Sequence, residues 1–133
     1  MYWVQERGLN YLQFPVLSGL EGFFHGIFLR RTSDYGNNPE DFNLGMGCGT
    51  PDSQVLRNRR RMLELFGTHC VGVYARQTHG TQVAIWDPNP MPDRAVRLHG
   101  DALVTNREAG ALVIQTADCQ AVDRTLAQPA QHQ

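Results

Sequence analysis

The stretch that decides the fold is residues 101–119, with the sequence DALVTNREAGALVIQTADC. Two short apolar runs, at 102–104 and 111–114, flank a polar turn at 106–110. This pattern is typical of two buried strands joined by a tight connection. Cys119 follows the second run, directly after Asp118. A cysteine beyond a strand end in a polar setting suits chemistry better than packing, although free cysteines are most often small buried hydrophobes.

A second polar interruption lies upstream, at Gln77-Thr78-His79-Gly80. It separates two strand-like runs, residues 71–75 and 83–86, which are rich in Val, Ile and aromatic residues. Its position beyond a predicted strand favours the chemical interpretation of Cys119 over the packing one. The segment 87–92 then contains three prolines, so we predict a loop there.

Length and composition limit the class of protein. The 133 residues suffice for one domain or part of one, and the formal charge of −1 offers no field to attract nucleic acid or a membrane. Three cysteines without framework spacing indicate reduced thiols. The N-terminus is charged where a signal peptide is apolar, and no apolar run approaches the roughly 20 residues that span a bilayer. We therefore expect a cytoplasmic protein.

The clearest helix is predicted from Thr50 to Gly67. Thr50 is the expected N-cap, Pro51 suits the first helical position, and Gly67 is expected to end the helix. The apolar positions recur at helical spacing: Val55, Leu56, Met62, Leu63 and Phe66. Upstream, residues 9–17 and 23–29 are predicted strands, and residues 33–50 a functional or mobile surface loop.

Taken together, six motifs resemble the YfiH family over about residues 24–120. The motifs are His25-Gly26, Asn43-Leu44-Gly45, Asn58-Arg59, Gln77-Thr78-His79-Gly80, Asp101-Ala102-Leu103-Val104-Thr105 and Ala117-Asp118-Cys119. The family carries two names, multicopper polyphenol oxidase (laccase domain) and purine nucleoside phosphorylase. The resemblance implies an α+β fold, a layered α/β/β/α sandwich of mixed sheets, of which this chain would supply about the first half.

The resemblance also implies a metal site. His79 and Cys119 match two family ligands, with zinc as the expected metal and copper as the alternative. The third family ligand, a histidine in an Ala-His-Ala-Gly-Trp segment, has no match here. His99 and the tail residue His132 are weaker candidates for that place. Arg30, Asn43 and Arg59 are candidate substrate-binding residues. Arg59 or Arg30 is a candidate to hold phosphate, and the alternative for Arg59 is a solvated position on the outer face of the helix.

The last residues depart from the family pattern. Ala121 stands where the family usually has proline, and the sequence that follows is polar and of low complexity. We therefore expect residues 1–120 to be a partial family domain and residues 121–133 a non-family, disordered tail.

Four functions remain open at this stage. The first is a purine nucleoside phosphorylase acting on adenosine, inosine or methylthioadenosine, with adenosine deaminase activity on the side. The second is a copper-dependent polyphenol oxidoreductase, although five scattered histidines are too few for several copper sites. The third is a metal-free hydrolase with Cys119 as nucleophile and His79 as base. The fourth is a truncated, inactive fragment with open strand edges.

Overall fold

The computed structural model describes residues 1–30, 42–47, 49–67 and 70–116. This part of the chain contains eight strands and two helices. In chain order they are β1 Tyr2–Glu6, β2 Leu9–Gln13, α1 Pro15–Ser18, β3 Ile27–Phe28, α2 Asp52–Glu64, β4 Val71–Arg76, β5 Val83–Trp86, β6 Val96–His99, β7 Ala102–Thr105 and β8 Gly110–Val113. The mixed content agrees with the α+β class, while the layered sandwich stays a prediction.

The N-terminal strands form an antiparallel sheet in the order β1-β2-β3. Arg7 and Gly8 connect β1 to β2 and both have positive φ, 52° and 79°, as a two-residue hairpin turn with the correct twist requires. The strands predicted at 9–17 and 23–29 are shorter in the structure. β2 ends at Gln13 because Pro15 has no N–H to donate and instead begins the short helix α1.

The remaining strands are parallel and form two sheets, one ordered β6-β4-β8 and the other β5-β7. The two apolar runs of the 101–119 stretch are β7 and β8, but they do not pair with each other. The two predicted strands and their short connection are therefore present, and residues 106–109 lead from one sheet to the other. Burial also differs between the runs, since Ala111 is 1% exposed and Val104 is 49% exposed.

β4 is the central strand and is buried along residues 71–74. Because side chains alternate along a strand, its two faces meet different surroundings. Val71 and Val73 contact Trp86 of β5 in one apolar cluster. Val113, on the opposite face of the sheet, packs against the second cluster, which includes Met62 of α2.

Helix α2 forms as predicted, with different details at its ends. Val55 and Met62 are buried, but Leu56 is 50% exposed and does not belong to the core face. Thr50 does not cap the helix; its hydroxyl accepts a hydrogen bond from Asn43 Nδ2 at 3.1 Å. Gly67 lies just beyond the helix with φ +124°, a left-handed conformation that suits a stop.

Over the residues described, no helix has both the length and the apolar character that crossing a membrane requires.

Candidate active site

The Asp101 carboxylate holds the turn that carries His79. Its Oδ1 accepts the backbone N–H groups of Thr78 and His79 at 2.9 and 2.8 Å, and its Oδ2 accepts that of Gly80 at 2.9 Å. His79 lies in the left-handed region, at φ 60°. This conformation is uncommon for a residue with a side chain. The hydrogen bonds that three consecutive backbone N–H groups donate to one carboxylate stabilise it.

The strand pairing brings Asp101 to this turn. Asp101 lies between β6 and β7, and the N–H of Gly100 donates to the carbonyl of Arg76 at the end of β4. The N–H of Asp101 donates to the carbonyl of Gln82. A side chain at residue 100 would crowd this junction, because a Cβ there would lie 3.2 Å from both Ala84 N and Gln82 O.

Hydrogen bonding lowers the pKa of Asp101. Partial desolvation by itself raises this pKa, but the N–H groups of Gly80, Thr78 and His79, together with the Thr78 hydroxyl, outweigh it. All of these donors favour the charged carboxylate. The turn is therefore held by an anion at neutral pH.

A side-chain amide joins the ends of β4 and β8. Gln77 Nε2 donates to the carbonyl of Gln115 at 2.9 Å, and the N–H of Gln115 donates to Gln77 Oε1 at 2.9 Å. Gln77 directly follows β4, and Gln115 lies two residues beyond β8. The pair therefore fixes the two chain segments that lead to His79 and Cys119.

Cys119 lies outside the described residues. Thr116, three positions before it, is the last residue described on this path. Three residues of extended chain span at most about 10 to 11 Å. The His79–Cys119 metal pair stays a prediction.

The other histidines have different surroundings. His99 is exposed at the end of β6, where it pairs in register with Arg76 of β4, at the same edge of the sheet from which His79 follows. His25 is buried, and its Nε2 accepts the N–H of Phe14 at 2.7 Å. His132 lies beyond the described ranges. A further ligand from this edge would therefore come most directly from His99.

Asn43 is buried and engaged in the loop before α2. Its Oδ1 accepts the N–H of Gly45 at 3.0 Å, and its Nδ2 donates to Gly45 O and Thr50 Oγ1, both at 3.1 Å. Asn58 Nδ2 donates to the carbonyl of Asn43 at 3.0 Å. The geometry supports a structural role, and substrate binding by Asn43 stays a prediction.

Arg59 and Arg30 lie in different places. Arg59 is half-buried on α2: its Nε donates to Leu44 O at 2.9 Å, and its guanidinium carbon lies 3.8 Å from the ring centroid of Tyr74. Arg30 follows β3 of the N-terminal sheet, is exposed, and accepts the N–H of Phe42 with its carbonyl. The alternative of a solvated position on the outer face of the helix therefore does not hold for Arg59.

The predicted metal site falls only partly within the described residues. Among them, no three His, Cys, Asp or Glu side chains come close enough to hold a metal ion. His79 offers an imidazole at an exposed, fixed turn, and both carboxylate oxygens of Asp101 are already occupied by N–H groups. The donor chemistry fits one ligand from this turn, with the other expected from Cys119.

Sequence reasoning missed two contributors to this region. Asp101 entered the prediction only as the first residue of a family motif, although a carboxylate is a strong acceptor of backbone N–H groups. Strand β6 was given no bounds, although Val96-Arg97-Leu98-His99 alternates apolar and polar residues. That alternation was a usable signal for Arg97, which lies opposite Tyr74.

Comparison with known proteins identifies the family. The model for the family described as Multi-copper polyphenol oxidoreductase laccase matches residues 24–132. This range includes most of the segment 121–133. The chain belongs to this family, which confirms the YfiH resemblance seen in its motifs.

Curated relatives carry the other name of the family. The chain is 36% identical over 78 residues to a purine nucleoside phosphorylase of Haemophilus influenzae, covering 59% of this chain and 30% of the relative. It is 34% identical over 95 residues to one of Corynebacterium glutamicum, covering 70% and 38%. It is 41% identical over 81 residues to one of Xylella fastidiosa, covering 58% and 31%. The chain thus spans about a third of the length of these relatives. No solved structure matches it significantly.

Proposed function

We propose that this chain contributes to a purine nucleoside phosphorylase acting on adenosine, inosine or methylthioadenosine. In this reaction the N-glycosidic carbon–nitrogen bond breaks and a carbon–oxygen bond to phosphate forms. The products are a sugar 1-phosphate and a free purine, whose departing nitrogen takes up the proton that the phosphate loses. The sugar passes through an oxocarbenium-like state, so the site must stabilise a leaving purine and hold an anionic nucleophile.

One observation carries the proposal: the Gln77–Gln115 hydrogen bonds join the two segments that lead to His79 and Cys119. Parallel strands β4 and β8 end at the same edge, which is where open parallel sheets bind ligands. Together with the family match and the names of the relatives, this supports a catalytic site at that edge.

In this proposal His79 and Cys119 hold a zinc ion, and copper is the alternative. Bound there, the metal would supply a Lewis acid for the departing or attacked group. Asp101 is then a positioning residue, because it holds the backbone of the His79 turn. Adenosine deamination at the same site is a second proposed activity.

Arg59 is the better supported of the two proposed phosphate ligands. From α2, Arg59 packs against Tyr74 on one face of the β6-β4-β8 sheet. Arg30 instead follows β3 of the N-terminal sheet. Asn43 would act on substrate only in addition to its hydrogen bonds within the loop.

The second candidate is a copper-dependent polyphenol oxidoreductase, which the description of the family favours. Imidazole is the usual ligand for several copper ions. Of the five histidines, His25 is buried with Nε2 accepting a backbone N–H, so it is a poor ligand. A single copper site at His79 is the form of this alternative that the described residues allow.

The test combines metal analysis with two assays on one preparation. Release of free purine from adenosine, inosine and methylthioadenosine is measured with and without phosphate, and phenol oxidation is measured beside it. We expect phosphate-dependent purine release with zinc bound. His79→Gln and Cys119→Ser should each remove the zinc and lower activity at least about a hundredfold, because both would be direct ligands.

Cys70→Ser is the matched control for the thiol, since Cys70 is partly buried and its thiol donates to Phe66 O, just beyond α2. His99→Gln tests the third-ligand place. Copper with phenol oxidation and no purine release would favour the oxidase. Activity that survives chelation would point to the metal-free hydrolase, and absence of both activities would mean that this chain alone is inactive.

A further inference from the structure

A cavity of about 160 Å³ lies between helix α2 and the β6-β4-β8 sheet. The residues that line it include Met46, Arg59, Tyr74, Arg97, Val113 and Gln115. Pockets for organic ligands usually measure about 300–1,000 Å³. This cavity therefore suits a small ion better than a whole nucleoside.

Strand register places three of these side chains in one row. Tyr74 of β4 lies opposite Arg97 of β6 on one side and Val113 of β8 on the other. Residues paired in this way project from the same face of a sheet. Arg59 reaches the same row from α2, with its guanidinium carbon 3.8 Å from the Tyr74 ring centroid.

Among the described residues, no carboxylate balances the positive groups of the cavity. Within the described ranges, neither Arg59 nor Arg97 is close enough to a carboxylate to form an ion pair. Arg59 uses Nε to bind Leu44 O, which leaves its two terminal nitrogens available. Desolvation lowers the pKa of Arg59; Tyr74 opposes this effect, and the positive charge of Arg97 adds to it. A bound anion would relieve both unfavourable effects.

The Tyr74 ring, not its hydroxyl, faces the guanidinium of Arg59. Tyr74 is only 6% exposed, and its hydroxyl oxygen is enclosed over Gly72. An oxyanion in the cavity would therefore be held by the guanidinium groups.

The cavity also adjoins the proposed catalytic edge. Gln115 lines it and is hydrogen-bonded through its backbone to Gln77, two residues before His79. Cys119 follows Gln115 by four residues. An anion held here would lie beside the segments that carry both proposed metal ligands.

We propose that this cavity is the site for inorganic phosphate, held by Arg59 and Arg97. The assignment of phosphate, among oxyanions, rests on the phosphorolysis proposed above. Arg97 is then a substrate-binding residue that the motifs did not indicate.

Calorimetric titration of the chain with inorganic phosphate, at constant ionic strength, tests this site without requiring activity. Arg97→Gln should weaken phosphate binding by about tenfold or more, because it removes a charge-assisted hydrogen bond. Arg97→Lys keeps the positive charge and should weaken binding less than Arg97→Gln. Arg94→Gln is the matched control, since Arg94 is 88% exposed and contacts only Asp93 in an ion pair of 3.9 Å.

Circular dichroism checks that each variant is folded, and Arg97→Lys tests the site if Arg97→Gln is not folded. Absence of phosphate binding by the unchanged chain, or equal weakening by Arg94→Gln, would overturn the proposal. Phosphate binding that depends on Arg97 without any phosphorolysis would support the cavity and contradict the proposed function. Phosphorolysis with an unchanged KM for phosphate in Arg97→Gln would contradict the cavity and leave the function standing.

Discussion

At the scale of single residues, Asp101 determines how His79 is presented. One carboxylate accepts three consecutive backbone N–H groups, and the middle one belongs to a residue with positive φ. A neutral amide at residue 101 could not accept all three, because one of its two ends would be an NH₂ donor. The charge and shape of the carboxylate are therefore both needed.

Asp101→Asn should lower the stability of the fold and flatten its dependence on acidic pH. The folded pKa of Asp101 lies below the ordinary value of 3.8, so its stabilisation is fully present above that value. It is lost as the pH falls through the folded pKa. Urea unfolding at a series of pH values from neutral to below about pH 4 measures this slope.

Asp93→Asn is the control for this prediction, because the Asp93 side chain is 96% exposed. It should leave both stability and acid dependence unchanged. An identical acid limb in Asp101→Asn and in the unchanged chain would show that the carboxylate does not hold the turn.

At the scale of secondary-structure elements, the start of β8 packs closely against β5, where the chain leads from one parallel sheet to the other. A Cβ on Gly110 would lie 2.7 Å from Trp86 Cζ3 and 3.1 Å from its Cε3. Trp86 is only 4% exposed, so its ring has little room to move. Gly110 thus allows the first residue of β8 to lie against a buried ring of β5.

Gly110→Ala should destabilise the fold by about 1–3 kcal/mol, the usual cost of overfilling a packed core. Gly19→Ala is the matched change, because no atom lies within 4 Å of its Cβ position and its φ is −81°. It should be neutral or stabilise by up to about 1 kcal/mol, since it restricts the unfolded chain. Unfolding in urea, followed by Trp fluorescence, measures both; equal stability of the two variants would contradict the packing argument.

At the scale of the whole molecule, the β6-β4-β8 sheet lies between the two apolar clusters, with Val73 in one and Val113 packed against the other. Val73 is fully buried between the two parallel sheets, while Tyr74 faces α2 and the cavity with the arginines. By contrast, Val83 and Ile85 on β5 are 54% and 74% exposed. The core thus centres on β4, and apolar residues on β5 contribute less to it.

Val73→Ala should lower the free energy of unfolding by about 2 kcal/mol, from lost burial and the cavity left behind. The same substitution at Val83 should cost less than about 0.5 kcal/mol, as for most surface changes. Denaturant unfolding measured by circular dichroism gives both values. A larger loss at Val83 than at Val73 would place the core elsewhere.

Much of the fold and part of the site could be predicted from sequence, because they depend on local patterns. The helix from Asp52 follows from apolar residues at helical spacing, and β4 and β5 follow from short runs rich in Val, Ile and aromatic residues. The family followed from motifs such as Gln77–Gly80, and the match over residues 24–132 confirms it. The roles of His79 and Cys119 remain predictions.

Tertiary structure alone decided which segments meet. An apolar run such as 102–104 indicates a strand but not its partner, so the sequence could not show that β7 pairs with β5 and β8 with β4. Likewise, only the strand pairing brings Asp101 to the His79 turn, and Arg97 and Arg59 to Tyr74. The physical reason is that secondary structure depends on neighbours along the chain, whereas a site depends on hydrogen bonds and packing between residues far apart in it.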